Sequence, residues 1–408
     1  MKTDPLIQAA AQALAAGDPL NALKRVALRD DAPALALRGI AMAQLGDLVR
    51  AKALVRSAAR AFGAKQAVAR ARCVIAEAEI ALASRDLAWR AKALADARAT
   101  LAAHGDRINA AHASYLEVRR LVLIGQIDEA ERMLDTLDPA PLPPALRAAH
   151  ELVVASVALR RLQTAAARVA FARARHAAHE ARIPALIAEV ENASHVLQLP
   201  AARLIAGADK RLLLLDEVEG VLASDALVVD ACRHVVQNAA TAVSLTRRPI
   251  LFNLAYHLAE AWPADVPRDA LIARAFKTRH ADDSHRARLR VEMGRLRTVL
   301  AGLADINATR HGFALAPRRG HAVVLLARPV DEAYAAMLAL LADGESWSSS
   351  ALALALGASQ RTVQRTLDSL AAAGKAQSFG QGRARRWMAP PASGFATTLL
   401  LPTPVTLN

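Results

Sequence analysis

From residue 6 to about 206, apolar side chains recur every three or four positions in one segment after another. That spacing places them on one face of an α-helix and predicts a succession of amphipathic helices. A short signature punctuates them: Gly17-Asp18-Pro19-Leu20-Asn21-Ala22, Gly46-Asp47-Leu48-Val49-Arg50-Ala51 and Gly125-Gln126-Ile127-Asp128-Glu129-Ala130. A fourth copy near Asp86-Leu87 runs one residue out of register, its Ala falling at Ala91. Gly and Asp break one helix, Leu or Ile fills the corner, and the small Ala lets the next helix approach closely. After Gly207 the period changes. Leu212–Leu215, Ala226–Asp230, Arg233–Gln237 and Ala242–Leu245 are short apolar or alternating runs suited to strands. Helical spacing returns at Pro249–Ala261, Arg268–Phe276 and Ser284–Leu303, and Ile306–Leu315 reads as a hairpin with Gly312 near its turn. Further on, Asp331–Ala342, Ser349–Leu356 and a segment from Ser359 to Ala373 read as three helices. Gly357-Ala358 supplies a tight turn between the last two, and Gly374 a stop. A second hairpin follows, with Ala376–Phe379 and Arg383–Met388 as its arms around Gly380-Gln381-Gly382.

The fold class expected is therefore mainly α: an N-terminal array of α-helical hairpins followed by two α+β modules. The boundaries predicted are 1–207 for the array, 208–316 for the first module, 317–328 for a linker and 329–391 for the second module. An apolar tail, 392–408, completes the chain, its β-prone run lying at Phe395–Leu401. The array follows the logic of a solenoid, in which each hairpin buries its apolar face only against a neighbour. Its signature resembles tetratricopeptide repeats, although most of their consensus aromatics are absent. Asp138–Pro144, with four prolines in seven residues, interrupts it as a stiff loop. The resemblance implies a surface for a protein, peptide or small-molecule effector; a dimerisation scaffold, giving a homodimer, is the other reading.

Composition changes this picture in two ways. Of 408 residues 99 are Ala, so the 54% hydrophobic fraction reflects helix formers rather than greasy side chains. No apolar run approaches the ~20 residues of a membrane-spanning helix, and no membrane partner is expected. The opening residues lack the basic-then-apolar pattern of a secretory signal. Only two cysteines, Cys73 and Cys232, stand far apart. Together these give the expectation of a cytoplasmic, nucleoid-associated protein without a disulfide framework. The net charge of +14 favours a polyanionic partner. The charge is unevenly placed: from Arg247 onward 21 Lys and Arg face 12 Asp and Glu, against 31 and 26 before it.

Two arginine clusters carry most of the interest. Ser284–Arg297 holds Arg286, Arg288, Arg290, Arg295 and Arg297 against a single Glu292. On a helix, Leu289, Met293, Leu296, Leu300 and Leu303 form one stripe; Arg286, Arg290 and Arg297 flank it on one side, and Arg288 and Arg295 share the opposite face. Such a helix can seat itself on its own domain and enter a major groove. The order Leu245-Thr246, Ile250-Leu251-Phe252, Leu254, Leu258, Val266-Pro267-Arg268-Asp269, Leu271-Ile272, Gly294-Arg295-Leu296-Arg297 and Thr309-Arg310…Gly312-Phe313 resembles the winged-helix effector domain of OmpR/PhoB-type response regulators. The resemblance spans about 100 residues. It implies Arg295 at a base edge, Arg310 in the minor groove, and Arg286, Arg288, Arg290 and Arg297 on phosphates. Two departures stand out: a wing about one residue short, and Gly294 in mid-helix, which costs roughly 1 kcal/mol relative to Ala. No α/β receiver with a phospho-acceptor Asp precedes the module, so the array is expected to replace it as sensor.

The segment Leu356-Gly-Ala-Ser-Gln-Arg-Thr-Val-Gln-Arg-Thr-Leu-Asp-Ser-Leu370 is similar to MarR- and GntR-like winged helix-turn-helix domains. Val363, Leu367 and Leu370 face a core and leave Gln360, Arg361, Gln364 and Arg365 outward. Gln pairs with adenine and Arg with guanine, so this face has base-reading chemistry. Arg383, Arg385 and Arg386 form a second basic cluster on the hairpin.

These readings converge on a sequence-specific transcriptional regulator that binds double-stranded DNA through two winged helices. The alternative is an interaction scaffold whose modules bind proteins. No enzymatic activity, catalytic residue, cofactor or metal is expected. Gly374-Lys375-Ala376 lacks the rest of a phosphate-binding loop, and Gly380-x-Gly382 is a turn rather than a dinucleotide fingerprint. His176 and His179 stand one helical turn apart beside Glu180 but have no third ligand at metal spacing.

Overall fold

The chain is mainly helical, with sheets in its C-terminal half. The computed structural model describes residues 4–63, 65–84, 86, 91–207, 209–276, 278, 282–318, 322–329, 337–338, 340–341, 347–372, 375–382 and 385–388. Two compact units, Met1–Leu197 and Gln198–Pro391, contain them. No helix among the described residues is long and apolar enough to cross a membrane.

The first unit consists of α1 (Pro5–Ala15), α2 (Pro19–Val26), α3 (Ala32–Gln44), α4 (Leu48–Ala61), α5 (Ala67–Ala83), α6 (Ala91–Ala103), α7 (Arg107–Leu123), α8 (Ile127–Leu134), α9 (Pro144–Arg160), α10 (Thr164–Ala181) and α11 (Pro184–Ser194). Consecutive helices pack on one another, and α1 on α3, α3 on α5, α5 on α7 and α7 on α9 add a second layer of neighbours. The signature explains the turns. Gly17, Gly46, Gly105 and Gly125 adopt the left-handed conformation, where a side chain would be strained. The next residue donates its N–H back to the carbonyl five positions earlier, Asp18 to Ala13, Asp47 to Met42, Asp106 to Leu101 and Gln126 to Leu121. Asp18, Asp47 and Asp106 then cap the following helix through the N–H of Asn21, Arg50 and Asn109. Ala22, Ala51, Ala110, Ala130 and Ala167, each placed identically after its turn, are buried. Gly39 serves the same close approach: a Cβ there would lie 2.6 Å from Val55 Cγ2 on α4.

Some expectations for this unit need correction. The repeat at Gly105-Asp106, and another at Leu162-Gln163, belong to the series but were not among the expected copies. Leu162 itself takes the left-handed conformation (φ 57°), and the Gln163 N–H reaches the Ala158 carbonyl as in the other turns. Ala91 is exposed, so it is not the packing Ala of the fourth copy, and Leu87 of that copy lies outside the described residues. Leu20 is also largely exposed, whereas Leu48 and Ile127 are half-buried against the core. Regular helix ends at Ser194, a 3-10 turn follows at His195–Gln198, and Ala202–Ala206 is a strand. The helical unit therefore stops before the predicted boundary at 207.

The second unit contains β1 (Ala202–Ala206), β2 (Asp209–Leu213), α12 (Leu215–Ala223), β3 (Leu227–Asp230), β4 (Val235–Gln237), β5 (Ala242–Ser244), α13 (Pro249–Ala261), β6 (Val266–Pro267), α14 (Arg268–Phe276), α15 (Asp283–Leu300), β7 (Ala304–Ala308), β8 (Gly312–Pro317) and β9 (Val323–Ala327). Beyond these come α16 (Ser349–Leu356), α17 (Gln360–Ala372), β10 (Gln377–Phe379) and β11 (Arg386–Met388). The six-stranded sheet has the order β2-β1-β9-β3-β4-β5. The expected linker 317–328 is thus overturned: Pro317 ends β8, and Val323–Ala327 is a central strand, parallel to β3 and antiparallel to β1. Both faces of β3 and β9 are covered. Ile205, Val229 and Leu325 lie in one hydrophobic cluster with α13, and Leu204, Val228 and Leu326 in another with Val218 of α12. A strand buried on both faces has no alternation to read, only an unbroken apolar run. The expected strand at Leu212–Leu215 ends at Leu213, because Leu215 opens α12, whose Glu217 carboxylate accepts the Leu214 N–H.

A three-stranded sheet, β6-β8-β7, flanks the bundle α13–α14–α15. The described residues of the last segment have their own cluster: Met337, Leu341, Leu352, Val363, Leu367, Leu370, Ala376 and Trp387. Most of the expected helix Asp331–Ala342 lies outside the described residues, as do Gly374 and the tail run Phe395–Leu401.

Candidate nucleic-acid interface

Helix α15 begins where the Asp282 carboxylate accepts the His285 N–H at 2.8 Å. Its stripe Leu289, Met293, Leu296 and Leu300, continued by Leu303, is buried with Leu251, Leu254 and Leu258 of α13 and Leu271 and Ile272 of α14. Seating that stripe leaves the arginines outside, as their positions require. Arg295 is exposed and pairs with Glu292 at 2.9 Å. Arg288 lies over the Phe276 ring, 4.6 Å from its centroid. Arg286 reaches Asp283 at 3.3 Å and Asp269 at 3.8 Å. The Arg286 pairs are exposed on both sides and worth only about 0–1 kcal/mol, so that side chain can be exchanged for a phosphate, whereas Arg295 covers a Glu292 that is itself buried. Arg290 is exposed as well. Arg297 differs: its Nε donates to the Ile306 carbonyl at 2.8 Å and its guanidinium lies over Phe313. It ties α15 to β7 as well as presenting charge.

The β7–β8 hairpin brings Arg310 to an exposed turn. Gly312 is required by close packing rather than by the turn: a Cβ would fall 1.7 Å from the Val266 carbonyl oxygen, across the β6–β8 pairing. Thr309 Oγ1 donates to Asp265 at 2.5 Å and accepts the Gly312 N–H at 2.8 Å. Arg268 donates to the carbonyls of Thr309 (3.0 Å) and Arg310 (3.1 Å) and lies 5.4 Å from the centroid of Phe313. Asp265 and Arg268 therefore fix the turn that carries Arg310, a role absent from the sequence reading. One local sign existed: Arg268 is a cation in the first turn of a helix, where the helix dipole disfavours it.

In the last segment, Ser348 caps α16, Gly357 is left-handed, and the Ser359 hydroxyl accepts the Thr362 N–H to start α17. Arg361, Gln364 and Arg365 are exposed on α17, and Gln360 donates to Ser349 Oγ at 3.2 Å. Arg385 stacks over Trp387 at 4.3 Å, donates to Ser378 Oγ and faces Asp368 at 3.7 Å. Arg386 is half-buried in β11 and donates to the Arg385 carbonyl. Both are thus partly committed to holding the hairpin. Arg383 lies outside the described residues.

No family model, curated protein or solved structure matches this chain.

A groove of about 570 Å³ opens between the start of α13 and α15, lined by Arg248, Pro249, Ile250, Leu251, Glu292, Arg295, Thr298 and Val299. In the helical unit, a groove of about 630 Å³ runs between α9 and α10. Its walls carry Arg147, Glu151, Arg173, His176 and Glu180 beside Val169 and Ala172. Burial raises the Glu151 carboxyl above its ordinary value, and Arg147 pairs with Glu180 at 2.5 Å. Among the described residues, no group of three His, Cys, Asp or Glu side chains could hold a metal ion.

Proposed function

We propose that the protein is a sequence-specific transcriptional regulator that binds double-stranded DNA, with its helical unit taking a partner or effector. The observation that carries this reading is α15: an apolar stripe seats it, arginines line both of its flanks, and a neighbouring hairpin carries Arg310 on its turn. The order α13, β6, α14, α15, β7, β8 supports an OmpR/PhoB-type winged helix, with α15 as recognition helix and the β7–β8 hairpin as wing. Segment α16–α17–β10–β11 supports a second, MarR/GntR-like winged helix, with Gln360, Arg361, Gln364 and Arg365 facing bases. The recurrent Gly-Asp turn followed by a buried Ala supports a tetratricopeptide-like array, and its α9–α10 groove is the candidate effector site. Two DNA-reading modules on one chain raise each other's local concentration at the operator.

The test is retention of duplex DNA by the full chain at two salt concentrations, comparing wild type with Arg295→Ala and Arg365→Ala. Affinity is expected to fall steeply with salt. Each substitution is expected to cost about 1–3 kcal/mol if the side chain meets a base edge. Unchanged binding by both variants would overturn the base-contact assignment. The scaffold reading draws on Leu354, 87% exposed on α16; it would show partner capture and no saturable DNA retention.

A further inference from the structure

On α15 the buried stripe and the two arginine rows leave one face unassigned. Ser284, Ala287, Val291, Gly294 and Thr298 recur at three- and four-residue steps on the side away from Leu289, Met293, Leu296 and Leu300. In the middle of this face stands Val291, 53% exposed, a β-branched hydrocarbon side chain in the most basic stretch of the chain. Four of the five arginines beside it are drawn aside. Arg288 is drawn over Phe276 and Arg295 to Glu292 on one flank; Arg286 is drawn to Asp283 and Arg297 to the Ile306 carbonyl on the other. Beside Val291, Gly294 leaves room: a Cβ built there would have no neighbour within 4 Å. A surface reaching α15 head-on therefore meets hydrocarbon first, with guanidinium groups on either side.

The geometry points to Val291 as a specificity-determining residue that reads a thymine C5-methyl group in the major groove, while the flanking arginines hold the phosphates. This rests on the DNA-binding reading and moves the centre of base discrimination from Arg295 to Val291. The chemistry is complementary on both counts. The thymine methyl is the one hydrocarbon group that a base pair displays in that groove, and polyanionic backbones bound the groove on the two sides where the arginines lie. A floor without charge at the centre lets the helix approach closely, and cytosine, which lacks the methyl, would leave Val291 facing water.

The experiment selects duplexes from a random pool with the full chain, then replaces each thymine of the selected duplex in turn by uracil, which deletes only the methyl group. Wild type is expected to lose about fourfold in affinity at one thymine position, the equivalent of ~0.8 kcal/mol for one buried methyl-sized group. Val291→Ala is expected to bind the thymine and uracil duplexes equally, with an unchanged melting temperature because the side chain is exposed. A Val291→Ala protein that keeps the thymine preference overturns the proposal, as does a wild type indifferent to uracil at every position. So does a change in sedimentation of Val291→Ala with the thymine preference intact, which would assign Val291 to contacts between copies of the chain. Failure of wild type to retain any duplex overturns the DNA-binding reading itself.

Discussion

At the scale of single residues, two glycines in the same unit show how differently one residue type is used. Gly312 has no room for a side chain, because the Val266 carbonyl oxygen occupies the place of its Cβ. Gly294 has open space around it in mid-helix. Gly312→Ala is expected to destabilise the unit by about 3 kcal/mol, the upper range for forced overpacking, and to loosen the hairpin that carries Arg310. Gly294→Ala is expected to stabilise it by up to about 1 kcal/mol through helix propensity. Urea midpoints of the two variants check both signs. Arg268 belongs to the same scale. Its fork of donors satisfies two carbonyls of one turn, which a lysine's point charge would not reproduce.

At the scale of elements, the repeated helix-to-helix turn shows which parts of a motif are interchangeable. The left-handed residue is Gly in most copies but Leu162 in one; the N-cap position holds a capping Asp in some and, at Gln126 and Gln163, a Gln whose side chain makes no capping bond; the buried Ala persists at Ala22, Ala51, Ala110, Ala130 and Ala167. The caps are not equivalent either. Asp47 caps α4 and, among the described residues, no other side chain is bonded to it, whereas Asp106 also pairs with Arg72 at 2.8 Å and accepts from Asn109 Nδ2. Arg72 and Asp106 are both largely buried. Asp47→Ala is therefore expected to cost about 1 kcal/mol. Asp106→Ala should cost nearer 3 kcal/mol, since it strands a buried guanidinium. Chemical denaturation of both variants separates a cap from a cap that is also an ion pair. The turns were legible because Gly and Asp act locally. The copy at Gly105-Asp106 carries the same local signal and was nonetheless not among the expected ones, while the copy at Leu162-Gln163 is revealed only by its backbone conformation.

At the scale of the whole molecule, acid should weaken both units. His150 is buried against the Tyr115 hydroxyl at 3.2 Å, and burial holds its pKa below the usual 6.5. His257 on α13 is lowered in the same way, first by burial. An imidazole lowered in the folded state binds its proton more readily when unfolded. The stability it contributes is complete above pH ~6.5 and is lost as the pH falls from there toward the lower folded value. The denaturation midpoint is expected to drop between pH 7.5 and 5.5, and His150→Gln should flatten that dependence for the helical unit. An unchanged slope would show that His150 is not held neutral.

Local periodicity sufficed for most helices of the first unit, for α13 to α15, for the β7–β8 hairpin and for the arginines exposed on α15 and α17, because each of these follows from spacing along a few turns of chain. Tertiary structure decided what spacing could not encode. Val323–Ala327 is only an apolar run until β1 and β3, distant in sequence, supply its two neighbours and make it a central strand. Arg297 looks like a free charge until β7 brings the Ile306 carbonyl to it, and Arg385 until the β10–β11 hairpin and α17 bring Ser378 and Asp368 beside it. Asp265 belongs to no motif and Arg268 is only one letter of one, yet they hold the Arg310 turn through bonds that span about forty residues of sequence. Helix period and turn chemistry are short-range and survive in a one-dimensional reading. Strand neighbours and the partners of a guanidinium are long-range, and they exist only once the chain has closed on itself.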